Sequence, residues 1–350
     1  MAAQFELGSK HLENKKQANA AITEIQADNT KAVVKELINK GYGAVPSAKA
    51  AYDDYLGLTI VTEEIAKTAP EAASVLVDQI LAQELAAKYG NGELNSSEIY
   101  AILCSEPGNA DPKGLATKAT NNGGNWHIEG KKLLRKEHLT ADKYLIFAQD
   151  ENQTRIFSVP EEKINVNSVT KNVAGSNVEI NQVELNLDVP ESACIAVVND
   201  QLELYLTVAR TLIAAVSIGI GHSAVVAGVN TAKEVRDSNK QALSGSQNVQ
   251  FALSDMFAEL EAARMLTYYS ADAVDNNKPS IKFATMAKVQ ATDAASQNSI
   301  QALQLLGNLG YLANSDFADL IRLAVEGQVK GGTNRTQRSQ IYQHMLANKK

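Results

Sequence analysis

Apolar positions recur with a helical period over residues 1 to about 98, alternate over the middle of the chain, and return to the helical period for the rest. Lys31 to Lys40 reads as a short helix that Asn29 or Thr30 can cap and that Gly41 and Gly43 stop. Val45-Pro46 restarts the chain in an extended form. Tyr55, Leu58, Ile60, Val61 and Ile65 then share a helical face between Ser47 and Lys67. Pro70 opens a long helix from Glu71 to Tyr89, with Val75, Val77, Ile80, Leu81 and Leu85 inward, and Gly90-Asn91-Gly92 ends it.

The period changes in the stretch from Ile102 to Lys143. Asn121-Asn122-Gly123-Gly124-Asn125 supplies the positive-φ positions of a hairpin turn. Trp126 and Ile128 alternate with His127 and Glu129, as in a half-buried strand, and Gly130-Lys131 reads as a second turn. Tyr144 to Ala148, Arg155 to Val159 and Val178 to Val189 are further strands, the last with a phase slip at Asn181-Gln182 that predicts a bulge. Asp200-Gln201-Leu202-Glu203 is a capping box for a helix reaching about Val235. Helices over Val249 to Val274, Ile281 to Leu306 (capped by Pro279-Ser280), Asp316 to Val325 (capped by Ser315) and Arg335 to Leu346 complete the chain. Short loops between long helices predict a four-helix bundle. The expected organisation is an N-terminal helical domain over 1–98, a middle β-domain over 99–199 and a C-terminal bundle over 200–350.

Composition narrows the classes. With 45% apolar and 21% charged residues and a net charge of -7, without a Lys/Arg cluster, the chain is unsuited to nucleic acid or anionic membranes. The two cysteines, Cys104 and Cys194, have no metal-ligand spacing, which reads as buried thiols in a reducing, cytoplasmic setting. The start, MAAQFELGSK, has no signal-peptide pattern. Leu212 to Val229 is long and apolar, but its Ala/Gly content and its Ser217, His222 and Ser223 predict a buried helix rather than a membrane span. Gly219-x-Gly221-x-x-Ala224 has the letters of a dinucleotide fingerprint but falls inside that helix, where close packing is the expected role. The five histidines share no metal spacing, and no Gly-x-Ser-x-Gly elbow exists. Asp53-Asp54 and Glu63-Glu64 read as solvated helix faces.

Ser105-Glu106-Pro107-Gly108, then Asp111, Gly114 and Thr117, then Trp126-x-Ile128-x-Gly130-x-Lys132 and Ala141-Asp142 form an ordered set of spacings. It resembles the middle domain of the acyl-CoA dehydrogenase family. Leu37-x-x-x-Gly41-Tyr42-Gly43-Ala44-Val45 and Glu63-Glu64-Ile65-Ala66 resemble that family's N-terminal helices, although the family pattern is longer around Gly90. The resemblance implies a small β-barrel or sandwich between two helical domains, FAD as cofactor, an acyl-CoA or related thioester as substrate, and a homodimer or homotetramer. It also implies residue roles. Arg210 matches an Arg that helps hold acyl-CoA, and Arg236 the Arg that reaches the flavin pyrophosphate. Ser105 belongs to the flavin-side loop. Gln304, Gly307 and the loop through Tyr311 resemble Q-x-x-G-G-x-G-Y, with Asn308 in place of its second Gly. Gly332-Thr333-Asn334 with Gln337-Arg338 resembles the closing motif, where Thr333 would bond the flavin nucleotide.

The same resemblance exposes departures. The family's general base, a Glu directly before Gly-Thr, is Gly331 here, and the alternative place beside the helix-borne Arg is Ala209. An aromatic-Ile-Thr run against the flavin is Leu134-Arg135-Lys136, and a Phe-Gly after the pyrophosphate Arg is Asn239-Lys240. Glu326 and Glu137 are the nearest acids in sequence. Two expectations result: a dehydrogenase-like flavoprotein with impaired or altered chemistry, or an inactive family member serving as a binding or scaffold subunit.

Overall fold

The structure is a computed structural model that describes residues 7–27, 29–47, 50–90, 94–109, 114–151, 153–173, 176–198, 202–236, 239–306 and 316–347. By contact the chain divides into two units: Ile25–Ala50 with Val75–Tyr205, and Met1–Glu24 with Ala51–Ser74 and Leu206–Lys350. The predicted segment 1–98 therefore contributes helices to both units, because its helices pair with partners distant in sequence.

The first of these units carries the sheet. Its helix α2 (Thr30–Asn39) starts where Asn29 accepts a hydrogen bond from the Ala32 amide at 3.0 Å, and it buries Val34 and Leu37. Most of a second helix, α4 (Pro70–Tyr89; α3 lies in the other unit), belongs here too. Eight strands follow: β1 (Tyr100–Leu103), β2 (Lys118–Asn121), β3 (Asn125–Leu134), β4 (Lys143–Asp150), β5 (Gln153–Pro160), β6 (Val166–Val173), β7 (Ser176–Pro190) and β8 (Cys194–Val198). They form one sheet in the order β6-β7-β3-β2-β4-β5-β8, with β1 parallel to β4. The β2–β3 hairpin turns at Gly123 (φ 73°) and Gly124 (φ 106°), as its sequence demands.

Two expectations for the strands fail for identifiable reasons. Gly130-Lys131 is no turn: β3 runs through it, paired with β7 along its whole length. Gly130 is there because a Cβ would stand 2.5 Å from Thr117 Oγ1. The phase slip at Asn181-Gln182 is no bulge, since Asn181 pairs with Leu134 and Gln182 with Leu133 in unbroken register. Asn181 is a polar residue on the buried face, in step with buried Val183 and Leu185, so the letters break the alternation while the backbone keeps it. The irregular step falls instead between Ile156 and Phe157, where β5 meets β8. Cys104 and Cys194 are free, as expected, but half-buried.

The second unit is helical: α1 (Ser9–Glu24), α3 (Tyr55–Ala66), α5 (Leu202–Glu234), α6 (Gln247–Asp275), α7 (Ile281–Leu306), α8 (Asp316–Gly327) and α9 (Asn334–Ala347). The caps expected at Asp200 and Ser315 lie outside the described residues. By length and composition α5 is able to cross a membrane, yet 72% of its apolar window is buried within the protein, as the core helix of a bundle requires. A Cβ on Gly219 would stand 2.6 Å from the Ala66 Cβ, and one on Gly221 2.8 Å from Leu260 Cδ1, so the apparent fingerprint glycines serve close packing.

The paired acids of α3 are not solvated. Glu63 is 2% exposed and accepts from Tyr268 Oη at 2.7 Å and from Arg264 Nε at 3.0 Å. Glu64 accepts from Lys67 Nζ at 2.6 Å and Asn19 Nδ2 at 3.0 Å. Asp54 is the N-cap of α3, accepting from the Gly57 amide at 2.6 Å, while Asp53 is exposed and meets Lys10.

Candidate functional site

The site is assembled around the turn between α8 and α9. Two successive glycines make the turn, Gly331 at φ 65° and Gly332 at φ 97°, in the left-handed region that side chains disfavour. Both glycines are partly buried, and their carbonyls need donors. Three helices supply them. Gln337 of α9 donates its Nε2 to Gly331 O and Gly332 O, each at 2.9 Å. Arg210 of α5 donates Nε to Gly331 O at 3.4 Å and its NH1 to Thr285 Oγ1 at 2.7 Å. Lys288 of α7 donates to Gly332 O at 2.8 Å and to Gln328 O at 3.2 Å.

Asn334 opens α9 and is buried. Its Oδ1 accepts from Lys288 Nζ at 2.8 Å, and its Nδ2 donates to Thr292 Oγ1 and Asp293 Oδ1, both at 2.8 Å. Thr333 accepts from the Thr336 amide at 3.2 Å, which caps the helix. Lys288 is fully buried, and burial followed by the Arg210 guanidinium pushes its amine down to about 7.

Arg210 thus meets Gly331, and Lys288 joins Gly332 to Asn334, with Thr333 between them in the turn. Arg236 and Gln304 are not part of this group: both are exposed, and Arg236 NH1 donates to Lys233 O at 3.1 Å. Gly307 and the loop to Tyr311 lie outside the described residues. Ala209, the alternative base position, is buried. A Cβ built on Gly331 would meet Ile213 Cδ1 at 2.7 Å, so a carboxylate there needs Ile213 to move and a side chain to adopt the left-handed backbone.

Of the two acids considered as substitutes, Glu326 lines a cavity of about 20 Å³ with Pro70, Ser74, Ile213, Ser217 and Lys330. That is room for a single water-sized guest, and Lys330 Nζ occupies one wall by donating to Ser74 Oγ at 2.8 Å. Glu137 belongs to the sheet unit. It is buried and accepts from Arg135 NH1 at 2.9 Å.

The sheet unit holds the other carried-over positions. Ser105 is exposed, and its carbonyl accepts from the Leu133 amide at 2.9 Å. The neighbouring Glu106 is a clasp: it takes the amides of Ala116 and Thr117 at 2.6 and 2.9 Å and the buried Lys132 ammonium at 2.8 Å. Leu134 is buried and Lys136 exposed. Arg135 NH2 donates to Asp78 Oδ2 at 2.8 Å, and His138 Nε2 stands 2.5 Å from the same oxygen. Burial, then Arg135, lowers the His138 pKa, so the imidazole is neutral at neutral pH.

Sequence reading missed Lys288 and Asp78, took Gln337 only as a letter of the closing motif, and read His138 only as a histidine without metal spacing. For Lys288 a signal existed. It falls in register with the small buried residues Ala284, Ala291 and Ala295 on one stripe of α7, a place where an unpaired Lys is out of keeping with its neighbours.

Residues 200–346 match the family described as "Acyl-CoA dehydrogenase, C-terminal domain". The mitochondrial short-chain specific acyl-CoA dehydrogenase of Homo sapiens is 30% identical over 321 residues, covering 84% of this chain and 76% of that protein. Among solved structures, butyryl-CoA dehydrogenase from Megasphaera elsdenii superposes with a TM-score of 0.84 at 22% identity, covering 98% of this chain and all of that one. Glutaryl-CoA dehydrogenase from Mycobacterium smegmatis, in complex with FADH2, gives a TM-score of 0.85 at 17% identity, with 97% and 95% covered. The last two establish the fold alone. The sequence match across most of the chain shows that this chain belongs to the acyl-CoA dehydrogenase family.

Proposed function

We propose that this chain is a flavoprotein of the acyl-CoA dehydrogenase type whose α,β-dehydrogenation of acyl-CoA is impaired at the proton-abstraction step. The observation that carries the reading is Gly331: the base position is a left-handed glycine capped by Ile213. FAD supplies hydride acceptance in such chemistry. The residues toward its nucleotide end fit that role, since the Arg236 guanidinium and the Gln304 amide are exposed and a guanidinium fork suits a pyrophosphate. The residues carried over toward the ring fit poorly. Leu134 is buried and Arg135 is tied to Asp78 and Glu137.

The same engagements favour one second reading, a family member retained as a cytoplasmic binding or scaffold subunit. Purified protein separates the two. Under the first, flavin is present at well below one per chain and rises on adding FAD. Aromatic stacking absent at Leu134 and the hydrogen bond absent at Lys136 are worth roughly 0.5–1.5 kcal/mol each. Stoichiometric, non-dissociating FAD refutes the weak-site part of this reading, and a protein that takes up no FAD at any concentration leaves only the scaffold.

Turnover is the second measurement. A positioned base contributes ~10²–10⁴-fold, so negligible dehydrogenation of short or long straight-chain acyl-CoAs with an artificial electron acceptor is expected. Ordinary family-level turnover would mean that another carboxylate reaches the α-carbon. We also propose a homodimer or homotetramer. Most of the apolar stretch of α5 is already buried, so the motive lies on α6, where Phe251, Phe257 and Met265 are exposed. A stable monomer in light scattering at micromolar concentration rules this out.

A further inference from the structure

We propose that Lys330, bonded to Ser74 across the groove between α5 and α8, is a specificity-determining residue that limits a bound acyl thioester to a short chain. The inference rests on the reading of the chain as an acyl-CoA-binding protein and names which acyl groups that site accepts.

The groove is made by two matching stripes. Ile213, Val216, Ser217 and Ile220 of α5, and Leu323, Glu326, Gly327 and Lys330 at the end of α8, each follow the i, i+3, i+4, i+7 spacing of one helical face. The Lys330 amide still bonds Glu326 O at 3.1 Å, so the spacing carries past Gly327. The stripes run antiparallel: a Cβ on Gly331 would meet Ile213 Cδ1 at 2.7 Å, and one on Gly327 would meet Ser217 Oγ at 2.9 Å. Pro70 and Ser74, from the first turn of α4 and in the same unit, complete the lining.

Gly331 and Ile213 stand at one end of this groove. Proton abstraction at the Gly331 position puts the α-carbon of a thioester there, and the carbons beyond it then head toward Ser217 and Ile220. The walls suit an alkyl chain, since Ile213, Val216, Ile220 and Leu323 are buried. The width does not. The space left is about 20 Å³, enough for one water. Two contacts narrow it. Farther along, Gly327 lies against Ser217, backbone against helix, and that contact is fixed. Nearer the base position, Lys330 Nζ donates to Ser74 Oγ at 2.8 Å and to Ser74 O at 3.5 Å, and this contact is the far end of a flexible side chain.

A longer acyl group has to displace that side chain. Doing so breaks the bond to the buried Ser74 hydroxyl and sets hydrocarbon against the Lys330 ammonium and the Glu326 carboxylate in the same cavity. Both effects disfavour the longer chain. Lys330→Ala removes the stem and opens the groove as far as Gly327.

Calorimetric binding to the full-length protein tests this, with butyryl-, hexanoyl- and octanoyl-CoA as probes and no turnover required. In an open apolar groove each added CH₂ raises affinity about fourfold. The unmodified protein should show no such gain from butyryl- to hexanoyl- or octanoyl-CoA. Lys330→Ala should raise the hexanoyl-to-butyryl affinity ratio about 15-fold. The ratio is taken within one protein, so a lysine that merely supports the fold would weaken both ligands alike and leave it unchanged. An affinity that climbs about fourfold per CH₂ in the unmodified protein overturns the proposal whether or not the variant folds. An unchanged ratio in folded Lys330→Ala overturns it too, and in both cases the acyl-CoA reading stands because the thioesters bind. If no thioester binds, butyryl-CoA included, that reading is itself refuted and the inference falls with it.

Discussion

Gly331→Glu should lower stability and should not create a dehydrogenase. The substitution restores the family's letters but not its backbone. Gly331 lies at φ 65°, and a side chain held in that region costs about 1–3 kcal/mol. The new Cβ would also stand 2.7 Å from Ile213 Cδ1. Overpacking of that kind adds about 1–3 kcal/mol unless Ile213 moves. If the turn shifts to relieve both, it gives up bonds to Gln337, Arg210 and Lys288 that fix the neighbouring carbonyls. Urea unfolding should show a lower midpoint with unchanged slope. Adding Ile213→Ala should recover the contact part of the loss and leave the backbone part. A Gly331→Glu protein as stable as the parent and active on acyl-CoA would show that the turn readily adopts another conformation.

The contrast between this turn and the helices explains what the letters disclosed. Asn29, Pro70 and the Gly123-Gly124 pair act through local backbone preferences, and each does in the structure what its type dictates. The Ala/Gly-rich run of α5 likewise announces a helix packed on all sides, and Gly219 and Gly221 lie in close contacts. The closing motif was legible because Gly332-Thr333-Asn334 is short and ordered along the chain. How the motif is held was not: Arg210 and Gln337 could be singled out along the chain, but they and Lys288 lie on three different helices and meet only in the folded bundle. Asn181 shows the converse failure: a polar residue on the buried face imitates a register slip. Gly130 imitates a turn because close approach to Thr117 demands glycine as firmly as a turn does. Glu63 and Glu64 failed for the same reason as Lys288. Charge suggests solvent, and only the partners contributed by distant segments make burial possible.

Those partners make Glu63 a position where a single change should cost much stability. The carboxylate is buried between Arg264 and Tyr268, with Lys67 3.6 Å away. Glu63→Ala removes one charge and leaves the half-buried Arg264 guanidinium with Glu261 as its remaining carboxylate partner. It also withdraws the acceptor of Tyr268 Oη. Breaking a buried pair in this way costs about 3–5 kcal/mol, a large fraction of a typical folding free energy. The loss should not be read as the strength of the pair. Taking both charges out of water is itself costly, so replacing the whole group with apolar side chains of similar volume should be far milder than breaking it. Glu63→Leu with Arg264→Met should therefore recover most of the stability lost by Glu63→Ala. The remaining deficit, about 1–3 kcal/mol, is the orphaned Tyr268 hydroxyl, and adding Tyr268→Phe should remove it. Denaturant midpoints for the single, double and triple variants measure each step. If Glu63→Ala costs under about 1 kcal/mol, water reaches the site and the pair contributes no more than a surface ion pair. If it costs the full amount but the apolar triple variant is no better, then the charges themselves, rather than their mutual compensation, hold α3 against α6.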